Sequence, residues 1–124
     1  MVRFGREPFL ECSSKGDKRF SALYARIRWR KNMTIEELYQ RRKIFEDGST
    51  ALSFKEAKGR KPINIIDCRQ WYSQLWREYF DENPELLLEI SQYNGFSDIF
   101  GQQGSACQAE EIYNIARERL IGYV

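Results

Sequence analysis

The chain has 124 residues, 42% of them hydrophobic and 15% aromatic, and its 20 basic and 18 acidic side chains leave a formal charge of +2 with no histidine. That length and apolar content suit one domain with its own core, and the near-balanced charge supplies no global drive toward nucleic acid. Without imidazole, acid–base chemistry near neutral pH falls to a carboxylate, a tyrosine, a lysine or bound water. No run of about twenty apolar residues is present to span a bilayer. Cys12, Cys68 and Cys107 are odd in number and widely spaced, which supports neither a disulfide framework nor a zinc site, and reduced thiols in core or cap positions follow.

In chain order, MVRFGREPFL lacks the apolar centre and small-residue cleavage site of a signal peptide, so the chain reads as cytoplasmic. Residues 1–18 read as an N-terminal segment packed on or preceding the domain at 19–124, with SSKGD at 13–17 as a mobile polar tip. From Phe20 the sequence alternates: Leu23, Ala25, Ile27 and Trp29 fall against Ser21, Tyr24, Arg26 and Arg28, the period of a strand with one buried face. A helix follows, because Thr34 and Glu37 form a capping box. Ile35, Leu38 and Phe45 then face the core, while Glu36, Tyr39, Gln40 and Lys43 share an adjacent face.

Asp47-Gly48-Ser49 reads as a turn, and Ser53 with Glu56 predicts one or two helical turns over 54–58 that present Lys58, Arg60 and Lys61 as a lid. Asn64 with Asp67 opens a long helix to about Asp81, with Ile65, Cys68, Tyr72, Leu75, Trp76 and Tyr79 as its core stripe. Asn83-Pro84 starts the next helix, which buries Leu86, Leu87 and Ile90 and stops at Gly95. GFSDIFGQQGS carries three glycines and reads either as a packed loop bringing backbone close to a ligand or as a plain connection. Ser105 and Gln108 give another capping box, and Ala109, Ile112, Ala116 and Leu120 line a last helix. The basic clusters RIRWRK, QRRK and KGRK read as solvated faces and strand exteriors rather than a phosphate track.

Glu36, beside an amide, a phenol and an ammonium at helical spacing, is either a first-turn carboxylate or the centre of a polar substrate site. Asp98, between Gly95 and Gly101 and flanked by Phe96 and Phe100, is either a turn acceptor or a second site carboxylate with aromatic walls. Arg117 and Arg119 suit a phosphate or carboxylate, or the helix C-terminus alone.

The order FSAL, IEELYQRRKIF, NPELLLEI, GFSDIFGQQG and a last helix ending in IARERL resembles the NADAR (YbiA-like) superfamily over roughly residues 19–120. The resemblance implies an α+β fold, mostly helical, in a single compact domain with a short antiparallel element near the N-terminus. It implies hydrolysis, without metal or cofactor, of a ribosyl C–N bond in an ADP-ribosylated base or a phosphoribosyl pyrimidine or riboflavin intermediate. Glu36 matches the family's helix glutamate, Tyr39, Gln40 and Lys43 its companions, and Asp98 with Gly101 the late loop. Phe100 stands where family members carry tryptophan, and QQGSACQAEE replaces their glycine- and asparagine-rich run.

On that resemblance Glu36 and Asp98 are the catalytic candidates, through stabilisation of an oxocarbenium-like state, water activation or ribose binding. Lys43, Lys58 and Arg117 would hold phosphates, and Phe96 and Phe100 would stack a base. The expected partner is a nucleotide or ADP-ribose-like small molecule, with nucleic acid as an alternative substrate carrier. The competing readings are a non-catalytic protein that sequesters such a nucleotide, a role suiting a phage-like protein, and a basic nucleic-acid or protein interaction module.

Overall fold

The computed structural model describes residues 1–50, 57, 59–102 and 104–120, with the side chain of Leu120 outside the description. In chain order its elements are β1 (Val2–Gly5), β2 (Phe9–Glu11), a 3-10 turn at Lys18–Phe20, β3 (Arg26–Ile27), β4 (Met33–Thr34), α1 (Ile35–Arg41), α2 (Ile65–Glu82), α3 (Glu85–Ile90), β5 (Gly95–Asp98) and α4 (Gln108–Leu120). The chain is therefore an α+β domain, mainly helical, with short strand elements near its N-terminus.

The main sheet has the order β1-β5-β2, with β5 antiparallel to β1 and parallel to β2. Two of its strands come from residues 1–18, so that segment is part of the core layer. The SSKGD stretch expected to be mobile is packed: Ser13 is buried and its carbonyl accepts the Gly16 N–H. Residues 95–98 were expected in a loop after a helix stop at Gly95, whereas α3 ends at Ile90 and Gly95 opens the central strand. All four β5 residues are buried, so the segment shows no alternation, and both of its partners lie more than eighty positions away. Glycine is required at 95, since a Cβ there would lie 2.5 Å from a Phe9 ring carbon.

The alternating segment is the second correction. Only Arg26–Ile27 forms a strand, paired antiparallel with Met33–Thr34 through a reversal in which Lys31 and Asn32 adopt positive φ. Residues 21–25 coil instead: the Tyr24 and Ala25 N–H groups both donate to the Ser21 carbonyl. Phe20, Ser21 and Ala22 are buried in succession, and Leu23 and Trp29, expected inside, are exposed by 45% and 64%. The coil has a use, because helix N-termini leave backbone donors without partners. Its Ala25 and Ala22 carbonyls accept the Ile35 and Glu36 N–H groups of α1 at 2.9 and 3.0 Å, and the Thr34–Glu37 capping box satisfies the next donor.

α2 buries Cys68, Tyr72, Leu75, Trp76 and Tyr79, the expected stripe apart from half-buried Ile65, and adds Phe80, which was not expected. Asn64 makes no cap bond to this helix, because its side chain accepts from Ile44 N–H and donates to the Arg42 carbonyl, and Asp67 pairs with Arg42. α4 starts two residues later than the Ser105–Gln108 spacing predicts and turns Ala109, Ile112 and Ile115 inward. Of the helical turns expected over 54–58, only Ala57 is within the described residues, and it is buried; Lys58 lies outside them.

Candidate functional site

Glu36 enters the site from the first turn of α1. Its Oε1 accepts from Gln40 Nε2 at 2.7 Å, the i to i+4 contact of a helix face, and its Oε2 has no hydrogen-bond partner among the described residues. Gln40 is buried, and its Oε1 has no partner among the described residues either. Tyr39 is half-buried and meets Tyr72 of α2 edge-on, ring centroids 4.9 Å apart. Burial, and then the neighbouring Cys68 and Glu36, push the Tyr39 phenol above its usual range. Tyr72 is fully buried and its phenol is raised further, by burial first and the Glu36 carboxylate second. The two phenols are thus held neutral on the side of α1 that carries Glu36.

Asp98 ends β5 and is buried, as its strand requires. Its Oδ1 accepts the Phe100 N–H and its Oδ2 accepts Gln108 Nε2, both at 2.9 Å, while its carbonyl accepts Gly101 N–H. The Gln108 oxygen in turn accepts Ala22 N–H at 2.7 Å. Ala22 gives its carbonyl to Glu36 N–H. The Asp98 carboxylate is therefore linked through the Gln108 side chain and the Ala22 backbone to the main-chain N–H of Glu36, whereas the Glu36 carboxylate is held separately by Gln40.

The other sequence candidates divide. Tyr39 and Gln40 are gathered around Glu36. Lys43 is buried nearby, and its ammonium donates to the Ala57 and Arg60 carbonyls at 3.1 Å each while burial draws its pKa down. Phe96 is a core residue beside Tyr113, with little ring surface open to a ligand, whereas Phe100 is 62% exposed next to Asp98. Gly101 packs against the Val2 side chain and the Asp98 Cβ. Arg117 is exposed on α4, and its guanidinium lies over the Tyr113 ring.

A cleft of about 300 Å³ opens between Phe4, Arg69, Gln102, residues 104–107, Glu110 and Glu111. It lies against the same core as the site, since Cys107 shares one buried cluster with Tyr72, and Glu111 bonds Ser73, the residue after Tyr72 on α2. Glu111 accepts a 2.7 Å bond from Ser73 Oγ, and burial raises its pKa. Sequence reading missed Gln108, Tyr72, Trp76 and these cleft residues as site members. Tyr72 and Trp76 carry the same helical period as core residues, and Gln108 carried a cap signature, so only contacts distinguish them.

The RIRWRK cluster is occupied in holding the hairpin to α2. Arg30 pairs bidentately with Glu78 at 2.6 and 2.9 Å and lies between the Trp29 and Trp71 rings, Arg28 donates to the Glu82 carbonyl, and Arg26 to the Asn32 carbonyl. Among the described residues no group of three or more His, Cys, Asp or Glu side chains gathers as a metal site, and no helix is long and apolar enough to cross a membrane. Compared with models of known protein families and with curated proteins, the chain matches none.

Proposed function

We propose that this chain is an N-glycosidase that hydrolyses a ribosyl C–N bond in an ADP-ribosylated base or a phosphoribosyl pyrimidine or riboflavin intermediate. The observation that carries the reading is the setting of Glu36, whose carboxylate is clamped at one oxygen by buried Gln40 and whose main-chain N–H is fixed through Ala22 and Gln108 to the Asp98 carboxylate. As the base departs, positive charge develops on the ribosyl ring, and an adjacent fixed carboxylate stabilises it. Glu36 is suited to that task, since Gln40 clamps one oxygen and leaves the other toward the reacting centre or its water. Asp98 acts as a positioning residue, because both of its oxygens are engaged and it reaches Glu36 through Gln108 and Ala22. Phe100 and Arg69 supply an exposed ring and a cation at the margin, suited to a base and a phosphate. If the base belongs to nucleic acid, it must be single-stranded or flipped out.

One observation favours a second reading, a protein that sequesters an ADP-ribose-like nucleotide without cleaving it: both Asp98 oxygens are engaged, so of the two candidate carboxylates Glu36 alone has an oxygen without a partner among the described residues. Incubation of wild-type and Glu36→Gln protein with ADP-ribose, ADP-ribosylated guanine in DNA and aminated ribosyl pyrimidines, read by mass spectrometry, separates the two. Release of base by wild type, reduced about a hundredfold or more in the variant, supports hydrolysis. Bound but intact ligand supports sequestration, and no binding to any of them overturns both.

A further inference from the structure

Arg69, Ser73, Arg77 and Asp81 recur every fourth residue of α2 and so share one helix face. The last three are matched by α4. Ser73 donates to Glu111 at 2.7 Å, Arg77 lies 3.6 Å from Glu111 and pairs with Glu118 at 2.9 Å, and Asp81 pairs with Arg119 at 2.8 Å. The partners advance in the same direction along both helices, so the rung before Ser73 falls at the start of α4, where Cys107 offers no opposite charge. Arg69 therefore makes no hydrogen bond or ion pair among the described residues, and its exposed side chain lines the cleft of about 300 Å³. Glu110, exposed in the first turn of α4, lines the same cleft and is likewise unpaired among the described residues. Opposite charges thus face one cavity without pairing with each other.

We propose that this cleft binds a free α-amino acid with an apolar side chain, its carboxylate on Arg69 and its ammonium on Glu110. Charge selects the zwitterion. Glu111 is already met by Ser73 and Arg77, which leaves one cation and one anion in the lining for a ligand to join. A phosphate would meet Arg69 but be repelled by Glu110 and Glu111, and a simple amine would leave Arg69 unmatched. Size agrees, because about 300 Å³ is the small end of ligand pockets and has room for an amino acid rather than a nucleotide. The half-buried Phe4 ring, with Ala106 and buried Cys107, gives the ligand side chain an apolar wall. The site goes beyond the glycosidase reading and does not use Glu36: there Arg69 meets a phosphate at the margin, whereas here it meets a carboxylate inside the cleft.

The test titrates ¹⁵N-labelled protein with L-phenylalanine, with phenethylamine, which lacks the carboxylate, and with 3-phenylpropanoate, which lacks the ammonium. L-Phenylalanine should shift the backbone amides of Ser105, Cys107 and Glu110, and each truncated probe should bind about tenfold or more weakly, as for loss of one charged hydrogen-bonding group. Arg69→Gln should abolish the preference over phenethylamine and Glu110→Gln the preference over 3-phenylpropanoate. Both variants should keep the wild-type Tm, because neither side chain is paired within the described fold, and Glu36→Gln should bind L-phenylalanine as wild type does. Unmoved amides, equal affinity for the three probes, preferences that survive both variants, or displacement of L-phenylalanine by inorganic phosphate would overturn the site. Glycoside cleavage without an amino-acid response removes this site and leaves the glycosidase, whereas an amino-acid response with every glycoside left intact removes the glycosidase and leaves this site.

Discussion

The side chain of Gln108 joins Asp98 to Ala22, donating to the Asp98 carboxylate at 2.9 Å and accepting the Ala22 N–H at 2.7 Å. Gln108→Leu would leave a buried backbone donor and one carboxylate oxygen unpaired, and should cost about 1–3 kcal/mol in urea unfolding. Gln108→Glu should behave differently with pH. Its carboxylate would face Asp98 near neutrality, and protonation in acid would restore a donor, so the deficit should shrink as pH falls. Equal deficits at all pH values would show that the bridge is not what holds the two elements.

At Glu78 the pH dependence belongs to the wild-type side chain itself. The Arg30 guanidinium holds its carboxyl below the usual range, with burial opposing and Gln74 and Trp29 assisting. A lowered folded pKa stabilises the fold above the ordinary value of 4.5 and loses that contribution as pH falls through the folded value. Glu78→Gln should therefore be less stable than wild type by about 1–3 kcal/mol above pH 5, since Arg30 loses a charged acceptor, and the two curves should converge in acid. Chemical denaturation at a series of pH values tests this.

Lys43 should matter for local order as well as for any ligand. Its ammonium bonds the Ala57 and Arg60 carbonyls, while the Arg60 N–H closes a turn onto the Ala57 carbonyl. Lys43→Met should accelerate hydrogen exchange at the Arg60 amide while exchange in the α2 core is unchanged. If the Arg60 amide keeps its protection while phosphate-bearing ligands bind more weakly, the ammonium serves the ligand instead.

The cysteines should react in order of access. All three are buried, and burial raises each thiol above its usual range. Cys107 lines the cleft, whereas Cys12 is enclosed and directs its Sγ to the Leu10 carbonyl. A thiol reagent should modify Cys107 slowly and Cys12 only after unfolding, as mass mapping would reveal. Protection of Cys107 by ribose 5-phosphate would further connect the cleft to the site.

What the sequence by itself determined is whatever is decided within one or two turns of chain. The Thr34–Glu37 capping box, the Cys68–Tyr79 stripe of α2, and the grouping of Glu36 with Tyr39 and Gln40 depend on spacing that a helix converts directly into contact. Tertiary structure decided the rest by supplying better partners from far away. Asn64 gives its side chain to residues 42–44 instead of capping its own helix, Gln108 serves Asp98 and Ala22 instead of Ser105, and residues 21–25 coil so that their carbonyls can meet α1. β5 was hidden for the same reason, since a strand buried on both faces has no alternation and its edges are met by residues 2–5 and 9–11. Local pattern proposes a hydrogen bond, but a buried donor takes whichever acceptor the packed chain brings to it.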